Sequence, residues 1–301
     1  KDGEKWKSLD YLLDLLVNCA SKGVNYLLNV GPTAEGVIPQ PSVDLLKQVG
    51  EWMDRNGEAI YGTEAGPFPS DPAWGRVTLK GDTLYLLVKQ WPAGELRLPG
   101  LRNEVKGARV LGSPDAQVEV RRDGDFVALS LPAQAPEAIV SVIALDMVGT
   151  PDVEQMLIQD GACDITLPMH IAEVSGGASV GQDGCTRGWQ DSASRATWTF
   201  RVQTPGDYAV TAVTRGSKVH PERFGNHELR VSCADASVTA MAGVQDLDMG
   251  DDAAWMQYPR SPLGTLRIAA TGEQTVTVVA DTIDSVGQGL KLIAIELTPV
   301  G

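Results

Sequence analysis

The stretch that decides the fold is SKGVNYLLNVGPTAEGVIP, residues 21–39. Its centre, Asn25–Val30, contains the nearly unbroken apolar run Tyr26-Leu27-Leu28. A strand with one face in solvent alternates apolar and polar residues, whereas a strand that is covered on both faces does not. The run therefore predicts a buried strand of a parallel α/β sheet, followed by a Gly-Pro break into a loop.

The residues on either side of this stretch predict helices. Residues 8–22 place apolar side chains on one stripe, Ser8 is suited to cap the start, and Gly23 stands where a left-handed residue ends a helix. A second helix should begin near Pro41, since proline is tolerated in a first turn, and end at Asn56-Gly57. Helix, buried strand and helix together make one slice of an α/β fold.

One such slice is incomplete by itself. A single parallel strand has no partner for its backbone hydrogen bonds and no sheet to cover its faces. The chain also begins at Lys1 rather than at an initiator methionine. We therefore expect residues 1–62 to be the tail of a larger α/β domain, whose earlier part lies on the same polypeptide or on a second chain.

The same residues resemble a known family. Residues 21–39, followed by VGEW at 49–52 and NGEAIYG at 56–62, resemble the closing segment of the catalytic barrel in family 29 glycoside hydrolases, the α-L-fucosidases. The match is long, ordered and specific in its spacing. It departs at Val24, where the family commonly has a second glycine and where a valine disfavours a positive φ.

The resemblance implies a retaining glycosidase built on a (β/α)8 barrel that needs no cofactor. Such enzymes use a nucleophile and an acid/base carboxyl about 5 Å apart. In the family both residues precede the segment that matches residues 21–39, so no catalytic residue is predicted in this chain, and alone it should be inactive. The whole enzyme would release terminal α-L-fucose from fucosylated glycans. The alternative is a non-catalytic protein that uses the tail domains for glycan binding or assembly.

Composition limits the partners and the compartment. The 301 residues are 43% hydrophobic and carry a net charge of −14, which argues against nucleic acid or a membrane surface as partner. No apolar run is long enough to span a bilayer. Cys163 and Cys185 could form a disulfide or remain free thiols, and Cys19 is expected to be a buried thiol. The resemblance favours a secreted, periplasmic or other glycan-degrading location.

The chain after the barrel tail predicts two antiparallel β-sandwich domains, so the fold class is mostly β. Residues 66–72, rich in proline, mark the first boundary, and residues 149–152 mark the second. The first sandwich, 63–148, contains seven short runs rich in valine and leucine. The second, 149–301, resembles the jelly-roll carbohydrate-binding modules that are appended to glycoside hydrolases. The predicted domains are thus 1–62, 63–148 and 149–301.

Two residues of the barrel tail are candidates for substrate-pocket support. Asn29 lies at the C-terminal end of the predicted strand, the face at which barrel enzymes build their pockets, and Glu35 follows on the same loop. Asn29 could orient loops around a fucose pocket or simply bond the backbone. Glu35 has no second carboxylate paired with it in the sequence, and solvation is the usual state of such a loop glutamate.

The last domain offers candidate sugar contacts in two loops. The rings of Trp189 and Trp255 could stack on a sugar face while Gln190, Asp191 or Gln257 bind its hydroxyl groups. The same rings could instead close the end of the sandwich.

No metal site is predicted. The acidic loop at residues 246–252 lacks the spacing of a twelve-residue calcium loop, so a solvated loop is the better interpretation. His220 and His227 flank one loop and are expected at the surface, and His170 has no helical spacing to either.

Overall fold

The computed structural model describes residues 6–161, 163–250, 253–284 and 287–300. The chain divides into two compact units, Lys1–Gln155 and Met156–Gly301. The three-domain division at 62 and 148 is finer than these two units and stays a prediction. No helix among the described residues is both long and apolar enough to cross a bilayer.

Both predicted helices are present in the first unit. Helix α1 is Leu9–Ser21 and helix α2 is Gln40–Asn56, with a 3-10 turn at Gly57–Ala59. The hydroxyl of Ser8 accepts a hydrogen bond from the Tyr11 amide at 3.2 Å, which caps α1 as predicted. Gly23 follows α1 with φ of +64°, the left-handed conformation that glycine adopts without strain.

The strand predicted at Asn25–Val30 is absent, so that prediction is wrong for this structure. Residues 24–30 have no regular secondary structure, and Leu27 and Val24 are 83% and 56% exposed. A strand needs a neighbouring strand to bind its backbone N–H and C=O groups, and none of the described strands pairs with this segment. The side chains of the apolar run are therefore largely exposed to solvent. The described residues form no closed barrel.

The first unit contains a β-sandwich, and each of the seven predicted strands is present within a few residues of its expected bounds. The strands of this unit are β1 (Glu64–Ala65), β2 (Gly75–Lys80), β3 (Thr83–Val88), β4 (Glu95–Pro99), β5 (Val105–Val110), β6 (Glu119–Asp123), β7 (Phe126–Ser130) and β8 (Ser141–Met147). Within the described residues, one antiparallel sheet has the order β1-β2-β3-β8-β5, and a second has the order β4-β7-β6.

Strand β3 is covered on both faces. Leu84, Leu86 and Val88 point into the core between the two sheets, whereas Tyr85 and Leu87 pack against the helices. Helix α1 contributes Leu13 and Val17 to the helical side, and α2 contributes Trp52. The helices thus cover the outer face of the larger sheet, which explains why β3 lacks the alternation of a half-exposed strand.

The second unit is also a β-sandwich, and its long strands were predicted from the sequence. Its strands are β9 (Leu157–Ile158), β10 (Ile165–Pro168), β11 (Glu173–Ser175), β12 (Ser179–Val180), β13 (Thr186–Arg187), β14 (Arg195–Val202), β15 (Gly206–Thr214), β16 (Gly216–Ser217), β17 (Asn226–Cys233), β18 (Ala236–Gly243), β19 (Met256–Gln257), β20 (Arg260–Ile268), β21 (Gly272–Ile283) and β22 (Leu292–Val300). The two-residue strands among them were not predicted.

Two sheets of the second unit enclose one core. In the described part of the unit, β10-β22-β15-β20 form one sheet, and β11-β14-β21-β17-β18, with β9 beside β14, form the other. Strand β14 has one face in the core and one in solvent, because Trp198 and Phe200 are buried while Thr199 is exposed. The small ladders β12-β13 and β16-β19 lie outside these sheets and carry loops.

Candidate functional site

A cavity of about 300 Å³ opens among the loops of the second unit. Its lining includes the cationic side chains Arg187, Arg215, Arg223 and Lys291 beside the indole of Trp255. We call it the Trp255 cavity. The remaining lining residues are Ser217, His220, Phe224, Met256 and Gln288.

The backbone around Trp255 is held by a short ladder. Strand β16 pairs with β19 so that Ser217 is opposite Met256, and the amide of Lys218 donates to the carbonyl oxygen of Trp255 at 2.9 Å. The Trp255 side chain is nevertheless 63% exposed. A large aromatic ring is therefore held at the mouth of a cavity, with most of its surface free to contact a ligand.

The side chain of Gln257 binds the backbone of the loop that precedes β19. Its Nε2 donates to the carbonyl oxygens of Asp248 and Ala254 at 2.6 and 3.0 Å, and its Oε1 accepts from the Asp248 amide at 2.8 Å. The side-chain amide is thus committed to backbone groups. The structure gives Gln257 a role in loop geometry and does not place it as the sugar contact that the sequence suggested.

One carboxylate organises two of the cavity arginines. Oδ2 of Asp183 accepts from Nη2 of Arg187 at 2.6 Å and from Nη1 of Arg215 at 2.7 Å. The hydrogen bond from Arg187 is the main reason why the pKa of Asp183 is lowered. Asp183 therefore stays ionised and holds both guanidinium groups in place.

Lys291 is the most deeply buried of the cationic residues that line the cavity, at 6% exposed. Its backbone oxygen accepts from the Arg215 amide at 2.8 Å. Burial lowers the pKa of its ammonium group, and the positive charge of Arg187 lowers it further. Within the described residues, the ammonium makes no hydrogen bond or ion pair.

Trp189 is not placed to stack on a sugar. Its side chain is completely buried in the core of the second unit, and its carbonyl oxygen accepts from the Leu290 amide at 2.9 Å. The prediction of a sugar contact at Trp189 is corrected because core burial leaves no ring face accessible. Gln190 and Asp191 are exposed next to it, and Asp191 Oδ1 accepts from the Ala193 amide at 3.0 Å, so it caps a turn.

The candidates in the barrel tail lie on the exposed segment of the first unit. The side chains of Asn29 and Glu35 are both exposed. A hydrogen bond from the Thr33 side chain lowers the pKa of Glu35. Their support of a substrate pocket remains a prediction, because the strand to which it was tied is not formed.

The other titratable candidates divide between core and surface. His227 is 2% exposed, so the expectation of a surface residue is wrong, and its Nε2 lies 2.8 Å from the Phe224 carbonyl oxygen. His220 lines the Trp255 cavity and contacts Glu222 at 3.2 Å. Cys163 and Cys185 form no disulfide, so that alternative is not realised.

Most of the acidic loop at residues 246–252 is described, so its capacity to bind a metal ion can be assessed there. Across the described ranges, no cluster of three or more histidine, cysteine, aspartate or glutamate residues could hold a metal ion. Asp251 and Asp252, which belong to the acidic loop, lie outside the described residues.

Sequence reasoning missed most of the Trp255 cavity. Its cationic residues come from separate parts of the chain, near residues 187, 215, 223 and 291, and form no local motif. Only Trp255 was singled out. No local signal in the sequence marks these four cationic residues, since they come together only in the folded chain.

Comparison with known proteins relates the first part of the chain to one family. The family model described as Alpha-L-fucosidase matches residues 1–58. An α-L-fucosidase of Branchiostoma floridae is 37% identical over 93 residues, which are 30% of this chain and 21% of that protein. The tissue α-L-fucosidase of Bos taurus is 40% identical over 81 residues, which are 27% of this chain and 17% of that protein.

A solved structure extends the likeness beyond this region. The crystal structure of α-L-fucosidase from Vibrio sp. strain EJY3 matches with a TM-score of 0.74 at 26% identity, over 97% of this chain and 51% of that one. The chain spans about a fifth of the length of the curated relatives it matches. Over its first 58 residues the chain is similar in sequence to α-L-fucosidases, and over nearly its whole length its fold is similar to that of the Vibrio enzyme.

Proposed function

We propose that this chain is the C-terminal part of a retaining α-L-fucosidase that hydrolyses terminal α-L-fucose from glycans. The nucleophile and the acid/base carboxyl lie in a preceding (β/α) barrel portion, on the same polypeptide or on a second chain. The observation that carries the proposal is the exposed apolar segment that follows α1. The similarity of residues 1–58 to α-L-fucosidases suggests the class of reaction.

The exposure of this segment is unusual for a soluble protein. Val24, Leu27, Val37 and Ile38 are 56%, 83%, 61% and 40% exposed within a short stretch of chain. Contiguous exposed apolar residues of this kind commonly mark a surface that another element covers. The occupant we propose is the preceding barrel portion, and the coverage of only 51% of the Vibrio chain leaves room for one.

Covering this segment would also complete its secondary structure. Once a neighbouring parallel strand is present, Asn25–Val30 gains partners for its backbone groups and both faces become buried. Asn29 would then stand at the carboxyl end of a barrel strand, where pockets form, with Glu35 on the loop beyond it. This arrangement gives both residues the supporting role that the sequence suggested.

In the proposed reaction, one carboxylate attacks the anomeric carbon of the fucoside while the other carboxyl protonates the departing oxygen. Water then hydrolyses the covalent glycosyl-enzyme, with the second group acting as base, so the configuration is retained. Neither group is assigned to a residue of this chain. The chain supplies the last part of the barrel wall and the sandwich packed on it.

A non-catalytic glycan-binding protein is the second candidate. The observation that favours it is the Trp255 cavity, which combines an exposed aromatic ring with polar side chains and lies in the second unit. Both candidates predict glycan binding, but only the first predicts hydrolysis.

The proposal is tested by comparing two proteins in hydrolysis of 4-nitrophenyl α-L-fucopyranoside. One is the 301-residue chain, and the other is the same chain joined to whatever its gene encodes upstream. We expect activity only in the longer protein, with the α-anomer of fucose released first as seen by proton NMR. Activity of the shorter chain alone would contradict the proposal, and the absence of an upstream barrel sequence would exclude its form in which the barrel lies on the same polypeptide.

A matched pair of variants of the longer protein tests the covered surface. Leu27→Asp should abolish activity, because a carboxylate would be buried against the barrel. Val300→Asp should not, because Val300 is an exposed residue at the end of β22 in the second unit. Amide hydrogen exchange should show protection of Asn25–Val30 only in the longer protein. Equal exchange in both proteins would exclude the proposed strand.

A further inference from the structure

We propose that the Trp255 cavity binds an anionic sugar, one that carries a sulfate ester or a carboxylate. In this assignment Lys291 and Arg223 bind the anionic substituent, and the ring of Trp255 packs against the sugar face. The site lies in the second unit, and the inference does not rest on the proposed hydrolysis of fucosides. It can therefore be correct whether or not the chain belongs to an active enzyme.

The charge around the cavity has the opposite sign to that of the chain. The whole sequence carries −14, yet four of the residues that line the cavity in the described structure are arginine or lysine. Asp183 neutralises part of this charge through Arg187 and Arg215, and Glu222 contacts His220. Among the described residues, the side chains of Arg223 and Lys291 form no ion pair, although the carboxylate of Asp183 also attracts the ammonium of Lys291. An excess of positive charge therefore faces the cavity.

Lys291 supplies the strongest part of the argument. The residue is 6% exposed, and its side chain lines the cavity without a hydrogen bond or ion pair in the described structure. A buried charge that forms no ion pair is destabilising. An anionic group in the cavity would pair directly with the ammonium. The buried ammonium destabilises the unliganded protein, and binding of an anionic group relieves this destabilisation, which favours binding.

The aromatic ring and the size of the cavity indicate a sugar rather than a bare ion. Trp255 is 63% exposed and offers a flat apolar face, on which the C–H groups of a pyranose can pack. The volume of about 300 Å³ is at the lower end of the range for small-molecule sites. It suits one substituted sugar residue, whereas an inorganic ion would leave Trp255 without a contact.

The experiment measures binding to the 301-residue chain by isothermal titration calorimetry. The probes are methyl α-L-fucopyranoside 4-sulfate, methyl glucuronide, neutral methyl α-L-fucopyranoside and sodium sulfate. We expect at least one charged sugar to bind at least about tenfold more tightly than both the neutral sugar and inorganic sulfate, a difference of about 1.4 kcal/mol. The two charged probes distinguish a sulfate ester from a carboxylate. Affinity should fall as sodium chloride is added, because salt screens the charges.

Variants connect the binding to the cavity. Lys291→Met keeps the length of the buried stem and removes the charge, so it should lose the preference for charged sugars while the midpoint of thermal unfolding stays equal or rises. Arg223→Gln, at an exposed position, gives a second test that does not depend on the core. Trp255→Ala should weaken all sugars. Arg267→Met and Tyr258→Ala, exposed residues that are not among those lining the cavity, should change nothing.

Several results would overturn the proposal. They are equal affinity for the charged and neutral sugars, equal affinity for inorganic sulfate and the sulfated sugar, or binding of none of the probes. Unchanged binding in both Lys291→Met and Arg223→Gln would overturn it as well. Failure of fucoside hydrolysis would not, because the calorimetry measures binding and the variants place that binding in the second unit.

Discussion

Trp52 in α2 donates a hydrogen bond from its indole Nε1 to the carbonyl oxygen of Val140, 2.9 Å away. Both groups are buried where the helices meet the larger sheet of the first unit. The bond joins residues that are 88 positions apart in the sequence. It ties the segment predicted to be barrel tail to the sandwich that follows it, so these two parts of the first unit share one core.

Replacing Trp52 should therefore destabilise the first unit. Trp52→Phe removes the donor and leaves the Val140 carbonyl oxygen buried, which should lower the free energy of unfolding by about 1–3 kcal/mol. Urea unfolding followed by circular dichroism measures the change. Trp6→Phe is the control, because Trp6 is 45% exposed and its replacement should stay within about 0.5 kcal/mol. Equal effects of the two variants would contradict the assigned role of Trp52.

The two apolar runs of the first unit show how far the sequence could predict the fold. Asn25–Val30 and Leu84–Val88 both lack the alternation of a half-exposed strand, yet only the second is a buried strand. The pattern indicates that a segment is suited to burial on both faces. It does not indicate whether the chain contains the sheets or helices that would cover those faces. Strand β3 has a second sheet on one face and the helices on the other, and residues 25–30 have neither in the described structure.

The tryptophans of the second unit offer a comparison within one core. Trp198 Nε1 donates to the Pro168 carbonyl oxygen at 2.8 Å, whereas Trp189 Nε1 is buried with no partner among the described residues. Trp198→Phe breaks a hydrogen bond, but Trp189→Phe removes an unsatisfied donor. We expect Trp198→Phe to be the more destabilising by about 1–3 kcal/mol in urea unfolding. A larger loss for Trp189→Phe would show that its indole nitrogen is bonded in solution.

The sequence could predict a residue of the Trp255 cavity only where the type and local context of that one residue indicated a ligand contact. Trp255 stood out because it is a large aromatic residue in a loop, and it does line a cavity. Trp189 has the same local context but faces the core, because loop sequence does not reveal the direction of a side chain. Lys291 precedes a long apolar strand and gives no sign of a ligand site. Its relation to Arg187 and Arg223 exists only in the folded chain.

Gln257 should control the loop that leads to Trp255. Gln257→Ala removes all three hydrogen bonds to Asp248 and Ala254, so the Asp248 amide should exchange its hydrogen faster while global stability falls by about 1 kcal/mol or less. Hydrogen exchange followed by mass spectrometry measures this. Gln245→Ala, which removes an exposed glutamine from a neighbouring turn, should leave the Asp248 amide unchanged. Unchanged exchange in Gln257→Ala would show that the ladder alone holds the loop.

A second contact between the barrel tail and the sandwich is electrostatic. Glu58 accepts hydrogen bonds from the Tyr85 hydroxyl at 2.7 Å and from Arg109 Nη2 at 2.6 Å, and the Arg109 bond is the main cause of the lowered pKa of Glu58. Because the folded-state pKa lies below the unfolded value, this contribution is present above the unfolded pKa and is lost as the pH falls through the folded one. Glu58→Gln should thus lose stability at neutral pH but little at pH values below both.

The measurement for Glu58 is the urea midpoint of unfolding across a range of acidic and neutral pH. Glu95→Gln is a useful control, since Glu95 pairs with Arg121 on the surface of the smaller sheet and binds no buried tyrosine. The carboxylate of Glu58 is 45% exposed, so solvent screening should keep its effect small. A Glu58→Gln effect that does not change with pH would exclude the ionic explanation.

His227 should make the second unit less stable in mild acid. Burial lowers the pKa of His227 below its usual 6.5, although Phe224 and Asp284 act in the opposite direction. Its Nε2 contacts the Phe224 carbonyl oxygen at 2.8 Å, and its Nδ1 accepts from the Asp284 amide at 3.3 Å, so the folded state holds the neutral ring. As the pH falls below about 6.5, the unfolded chain takes up a proton first, and stability decreases until the folded-state pKa is passed.

His227→Gln should lessen the fall in the urea midpoint between about pH 7.5 and pH 5.5, whereas His170→Gln, at an exposed position, should preserve it. The same pH dependence in His227→Gln and in the unaltered protein would mean that other groups, and not this buried imidazole, cause the loss of stability.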